Sequence, residues 1–211
     1  MITAFSSLGP FAIDTYLPSF PSIERTFGVS SVATQQTLTA YLVPFALMTL
    51  WHGAISDTLG RKRVVVAGTL LFALGSVICA LAPTLLVLLL GRVLQGMSAG
   101  AGMVVGRAII RDVCAGAQAQ RMMAVITMTF AVAPAVAPIV GGWLEVLMGW
   151  RAVFVFLTLV ALLVAGWCQW SMPETLPPAR RRRFTPGLLL RGYAMVLANR
   201  TFTAVGLAMK L

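Results

Sequence analysis

Long apolar stretches alternate with short polar breaks along this chain. Four stretches lack Asp, Glu, Lys and Arg altogether: residues 26–56, 64–91, 122–144 and 152–173, of 31, 28, 23 and 22 residues. A helix crossing a ~30 Å hydrocarbon core needs about 20 apolar residues. Each stretch is therefore long enough to span a membrane. Two more spans emerge when one internal charge is tolerated: 1–20 carries Asp14, and 84–110 carries Arg92 and, near its end, Arg107. Inside 64–91, Ala82, Pro83 and Thr84 interrupt the run. Proline lacks a donor N–H and disfavours helix at the preceding residue. The pattern predicts six helices, over about 1–21, 34–55, 64–82, 84–107, 122–144 and 150–171. It is the pattern of an all-α membrane protein, a six-helix bundle over 1–171. Residues 172–200 read as a cytoplasmic basic linker and 201–211 as the start of a seventh helix that is cut off.

Composition agrees. Of 211 residues, 59% are hydrophobic and 10% charged, against about 25% charged in a soluble domain. The N-terminus has neither a basic lead segment nor a small-residue cleavage site, so the first helix is expected to be retained. Three cysteines, an odd number, exclude a full set of internal disulfides.

Charge then orients the bundle. The net charge is +10, which taken alone would suggest a nucleic-acid partner. Placement argues otherwise. Twelve basic residues (Arg61, Lys62, Arg63, Arg107, Arg111, Arg121, Arg180, Arg181, Arg182, Arg183, Arg191 and Arg200) fall on one set of connections, and only Arg25 and Arg151 on the other. By the positive-inside rule both ends of the six-helix bundle are cytoplasmic. The arginine run at 180–183 is expected to meet anionic lipid headgroups rather than nucleic acid.

Two charges fall at membrane depth. Arg92 lies about 12 Å into its helix and Asp14 about 20 Å into the first, at ~1.5 Å per residue. Ionised side chains there are costly and usually face a cavity and act; the alternative is an ion pair that fixes helix packing. They sit on the first helices of two successive helix triplets, as in inverted three-helix repeats with a midplane site. Pro10, Pro18 and Pro21 predict a bent or interrupted first helix. Small residues recur at 91, 96, 98–102 and 106, which reads as close helix packing, with passage of a ligand as the minor reading. The only histidine, His52, has no second ligand at metal spacing. No metal site, phosphate-cradling loop or nucleophile elbow is found, so neither an enzyme nor a cofactor is expected.

Several stretches carry a resemblance. Residues 53–63 resemble the loop signature between the second and third helices of the major facilitator superfamily, matching at Gly53, Asp57, Gly60, Arg61 and Lys62. Ile55, Ser56 and Thr58 depart from the usual residues, and Thr58 removes one charge. Arg92 through Gly96, including Gln95, resembles the family's fourth-helix motif, tied there to proton coupling. Ala133, Pro134, Ala137, Pro138, Gly141 and Gly142 resemble the fifth-helix motif of its drug antiporters, with Ala137 in place of a glycine. Asp14, Tyr16, Pro18 and Pro21 look like the first helix of the bicyclomycin-resistance (Bcr/CflA) type of drug efflux protein, and the exit at 174–178 fits that type.

The resemblance implies the N-terminal half of a twelve-helix transporter, with a second six-helix half as its missing partner. It would export small hydrophobic or cationic drug-like compounds across the bacterial inner membrane in exchange for protons. The proton gradient would be the energy source. Asp14, Tyr16, Arg92 and Gln95 would then serve substrate or proton coupling. Asp57, Arg61 and Lys62 would form the inner gate, with Arg107 or Arg111 as a partner for Asp57. Pro134, Pro138, Gly141 and Gly142 would shape the antiporter helix. The alternative expectation is a truncated membrane scaffold without transport of its own.

Overall fold

The computed structural model describes residues 2–181, 184–187, 191, 193, 195 and 198. The expected seventh-helix start (201–211), and Arg182, Arg183 and Arg200 of the linker, lie outside the described residues. Among those described, every regular element is helical: α1 Ile2–Asp14, α2 Phe20–Phe27, α3 Ser31–Leu59, α4 Arg61–Ala80, α5 Leu85–Val113, α6 Gly116–Met148 and α7 Trp150–Ser171. The helices α3 to α7 are each long and apolar enough to cross a membrane.

The first expected helix is interrupted. Regular helix stops at Asp14, a 3-10 turn follows over Leu17–Ser19, and α2 runs on to Phe27. Pro10 sits inside α1 without ending it. The break falls just before Pro18, which offers no N–H to the preceding turn and disfavours helix at Leu17. Local bonds tighten the passage: the Thr15 hydroxyl donates to the Phe11 carbonyl at 2.6 Å, and the Tyr16 N–H reaches only three residues back, to Ile13.

Elsewhere the helices overrun the polar breaks. The segment expected to connect 108–121 is mostly helix, with α5 ending at Val113 and α6 beginning at Gly116. Ser30 and Thr84 start α3 and α5 as N-caps, their hydroxyls accepting from Ala33 and Val87. A single residue, Gly60, joins α3 to α4 at φ 101°, a conformation that costs glycine little and other residues much.

The helix α5 is the centre of the bundle. It packs along α3 and α4 and against α1, while α4 also packs on α7 and α1 on α6. Its small residues permit this. A Cβ on Gly96 would strike the Tyr41 carbonyl oxygen of α3, so the two backbones touch there. The outward faces of α3 and α6 are apolar, with Leu47 and Leu50 on one and Ile139 and Trp143 on the other exposed.

Candidate functional site

The most deeply buried charge is Arg92, 0% exposed on α5. Its guanidinium lies between two tyrosine rings, 4.6 Å from the centroid of Tyr16 and 4.4 Å from that of Tyr41. Nη1 donates to Gln95 Oε1 at 2.9 Å. Gln95 Nε2 in turn donates to Ser76 Oγ at 2.6 Å, and Ser76 donates to the Phe72 carbonyl at 2.9 Å. That relay fixes the amide orientation, with its oxygen toward the arginine. Both rings are anchored through their hydroxyls. Tyr41 donates to the Gly9 carbonyl at 3.0 Å. Tyr16 lies 2.7 Å from Thr37 Oγ1, whose own proton goes to the Thr34 carbonyl, so Tyr16 is the donor.

No carboxylate among the described residues joins this cluster. Among the described residues Arg92 makes no ion pair, and its Nε and Nη2 lack hydrogen-bond partners. Two π faces and one amide oxygen carry the charge. A desolvated cation–π contact is worth about 2 kcal/mol. Two such contacts are of the size of the ~3 kcal/mol that inserting a central arginine costs on the biological scale. The ion pair held open as an alternative for Asp14 and Arg92 is not formed. Asp14 ends α1, half-buried. It is Tyr16, beyond the helix break, that meets the arginine.

A second cluster lies at the end of the bundle that carries the α3–α4 turn. Arg61 is its hub and is buried. Its Nη1 contacts Asp57 Oδ1 at 2.6 Å and Ser56 Oγ at 2.5 Å, and its Nε contacts Asp112 Oδ2 at 3.1 Å. Its backbone N–H donates to Glu174 Oε1 at 2.9 Å, so the exit segment caps the first turn of α4. Arg181 lies 3.8 Å from the other Glu174 oxygen, and Lys62 is half-buried nearby. The partner expected for Asp57 needs correction. Arg107 and Arg111 are exposed and make no ion pair among the described residues. Arg61, one turn beyond Asp57, takes that place, and α5 contributes the acid Asp112 instead of an arginine.

The residues of α6 serve a different contact. A Cβ on Gly141 would land on the Thr15 carbonyl oxygen, so the backbone of α6 lies directly on the break after α1. Nothing lies within 4 Å of the position a Cβ would take on Gly142. Pro138 is half-buried and Pro134 exposed, while Ala133 and Ala137 face inward. Gly53 is half-buried on α3, and its side-chain position would face Val104 of α5.

This helix arrangement and its motifs have known counterparts. The Major Facilitator Superfamily description matches residues 2–209. The chain belongs to the Major Facilitator Superfamily. Its members are transporters rather than enzymes. The chain is 37% identical over 202 residues to the uncharacterized MFS-type transporter YdgK of Bacillus subtilis, covering 95% of this chain and 50% of that protein. It is 32% identical to multidrug resistance protein D of Escherichia coli, covering 96% and 50%. It is also 32% identical to the bicyclomycin resistance protein homolog of Haemophilus influenzae, covering 90% and 48%. The chain thus spans about half the length of these relatives. Two crystal structures share the superfamily fold. The human organic anion transporter MFSD10 matches at a TM-score of 0.68 and 21% identity, over 93% of this chain and 55% of that one. The peptide transporter POT in complex with sulfate matches at 0.70 and 16%, over 99% and 44%.

Within this superfamily member, sequence reasoning missed Tyr41, Ser76, Asp112 and the capping role of Glu174. Tyr41 and Ser76 carry no charge and stand in apolar runs. Asp112 and Glu174 did carry a signal, since the chain has only 6 acidic residues and each can be asked for its partner.

Proposed function

We propose that this superfamily member works as the N-terminal half of a drug:proton antiporter. It would move small hydrophobic or cationic compounds outward across the bacterial inner membrane by alternating access, with the proton gradient as energy source. The observation that carries this reading is the buried Arg92, held by Tyr16, Tyr41 and Gln95 and without a counter-anion among the described residues, in a chain similar to named drug-resistance proteins. The names of those relatives do not favour a scaffold without transport.

In this reading the broken segment α1–α2 is a sixth span, and the six spans form two inverted three-helix repeats. A second six-helix half would complete the pathway. The Arg61 end would face the cytoplasm, a reading the bias of basic residues supports. Arg92 tunes protonation nearby. Asp14, half-buried at the end of α1, takes the proton or a cationic substrate. Asp57, Arg61 and Lys62 act as the inner gate, with Asp112 and Glu174 as the partners of Arg61. Pro134, Pro138, Gly141 and Gly142 let α6 move against the break after α1.

Ethidium accumulation in energised cells expressing the full-length transporter tests this. Wild type should lower accumulation, and a protonophore should restore it. Arg92→Ala and Asp14→Asn should each abolish the protonophore-sensitive component. Proton-driven export that survives both substitutions refutes the assigned roles.

A further inference from the structure

The seam between α4 and α7 opens outward at the end that carries the α3–α4 turn. A groove of about 470 Å³ lies there between the first turns of α4, the end of α7 and the exit segment. Lys62, Arg63 and Arg181 stand around it with one acid, Glu174. That acid is already engaged. Its Oε1 accepts from the N–H groups of Arg61 and Leu176 at 2.9 and 3.1 Å, and its Oε2 lies 3.8 Å from Arg181. Lys62 and Arg63 make no ion pair among the described residues. Two neighbouring cations therefore face the groove without a counter-anion. Below them the wall turns apolar, through Val66, Ala67 and Leu70 of α4. Leu74 and Val77 continue that line at helical spacing and are exposed. From Val66 to Val77 is about 16 Å at ~1.5 Å per residue, half of a ~30 Å hydrocarbon core. On the α7 side a Cβ at Gly166 would meet nothing within 4 Å, so the space there is open.

We infer that this groove holds one anionic phospholipid with a single phosphodiester, its phosphate between Lys62, Arg63 and Arg181 and one acyl chain along α4. Cations at the head of an apolar line repeat the layout of the lipid itself, and the line is as long as one leaflet is deep. A zwitterionic phospholipid fits less well: its ammonium would need Glu174, whose oxygens are taken, and would face three cations. A free anion would leave the apolar wall uncovered. Of the arginine run expected to meet headgroups, Arg181 is the described member at this groove, while Arg180 lines a separate recess with Asp57 and Arg61. The site requires a membrane but not proton-driven export, so it stands or falls without the function proposed above.

Native mass spectrometry of the purified protein in neutral detergent tests the site, with phosphatidylglycerol or phosphatidylethanolamine of the same acyl chains titrated in. One phosphatidylglycerol per chain should bind about tenfold more tightly than the phosphatidylethanolamine. Lys62→Gln/Arg63→Gln should weaken it about twentyfold, some fivefold for each cation lost near an anionic headgroup, and leave phosphatidylethanolamine within about twofold. Lys62→Arg/Arg63→Lys should preserve binding. Arg107→Gln/Arg111→Gln removes two exposed cations outside the groove and should leave phosphatidylglycerol within about twofold. Ala67 is exposed at the groove wall, so Ala67→Trp should fill it and weaken the lipid about tenfold with helical content and charge unchanged. Equal affinity for the two lipids overturns the proposal. So does an equal loss in the two Gln pairs, unchanged binding in Ala67→Trp, or displacement of the lipid by inorganic phosphate.

Discussion

The aromatic cage around Arg92 makes a quantitative prediction. Tyr41 contributes two separable things: a ring 4.4 Å from the guanidinium and a hydroxyl donating to the Gly9 carbonyl at 3.0 Å. Tyr41→Phe removes only the hydroxyl and should cost about 1–2 kcal/mol, the net bond plus a partly orphaned carbonyl. Tyr41→Leu also removes the π face and should cost about 2 kcal/mol more. In an Arg92→Met background that extra cost should vanish, because no cation is left to feel the ring. The coupling energy between positions 41 and 92 is therefore about 2 kcal/mol, read from Tyr41→Phe to Tyr41→Leu with and without the arginine. Arg92→Met by itself removes a buried charge that has no counter-ion among the described residues but leaves Gln95 Oε1 without its donor, and should cost about 1–2 kcal/mol. Equilibrium unfolding in mixed micelles, followed by far-UV circular dichroism, gives all the values. A coupling below about 0.5 kcal/mol would refute the view that the rings hold the charge.

Other substitutions test other contacts. Gly141→Val should destabilise the bundle by several kcal/mol and abolish export, because its Cβ meets the Thr15 carbonyl, whereas Gly142→Ala should be tolerated within about 0.5 kcal/mol; melting temperature and ethidium efflux read both. Arg61→Ala strands Asp57 and Asp112 together and should cost about 2–3 kcal/mol, while Asp112→Asn, acting on one partly exposed pair, should cost less than about 1. Glu174→Gln keeps an oxygen for the Arg61 N–H and should cost less than about 0.5 kcal/mol, whereas Glu174→Ala should cost about 1; the same unfolding assay separates them. Trp150→Phe loses the 3.1 Å bond from Nε1 to Thr26 Oγ1 that ties α7 to α2, and should cost about 1 kcal/mol.

What the sequence disclosed follows the physics of the bilayer. Charge-free runs mark where apolar solvent is required, so the long apolar helices α3 to α7 were legible. Their ends were not, because a charged residue leaves the hydrocarbon without having to leave the helix; α5 continues through Arg107 and Arg111 to Val113. The interruption near Pro18 was legible in kind, since three prolines crowd the first span, but its position depended on the Thr15 and Tyr16 bonds. At the Arg92 cluster, charge pointed to the arginine and suggested the wrong kind of partner. Opposite charges draw attention in a sequence, whereas an aromatic face is one tyrosine among the apolar residues until the helices are placed. The Asp57 partner shows the same limit: two nearby arginines on α5 were plausible by charge, yet the helix turn between Asp57 and Arg61 already supplied one.

The contact between Glu174 and the first turn of α4 has a mechanical meaning. Because Glu174 is fastened to the Arg61 N–H, and Arg181 to Glu174, tension along the chain beyond residue 181 is delivered to the α3–α4 turn before it reaches α7. The exit segment is then a short tether attached at the hub of the Arg61 cluster. A tug on it strains the same bonds that join Arg61 to Asp57, Asp112 and Glu174, so a load applied outside the bundle is felt first where α3, α4 and α5 meet.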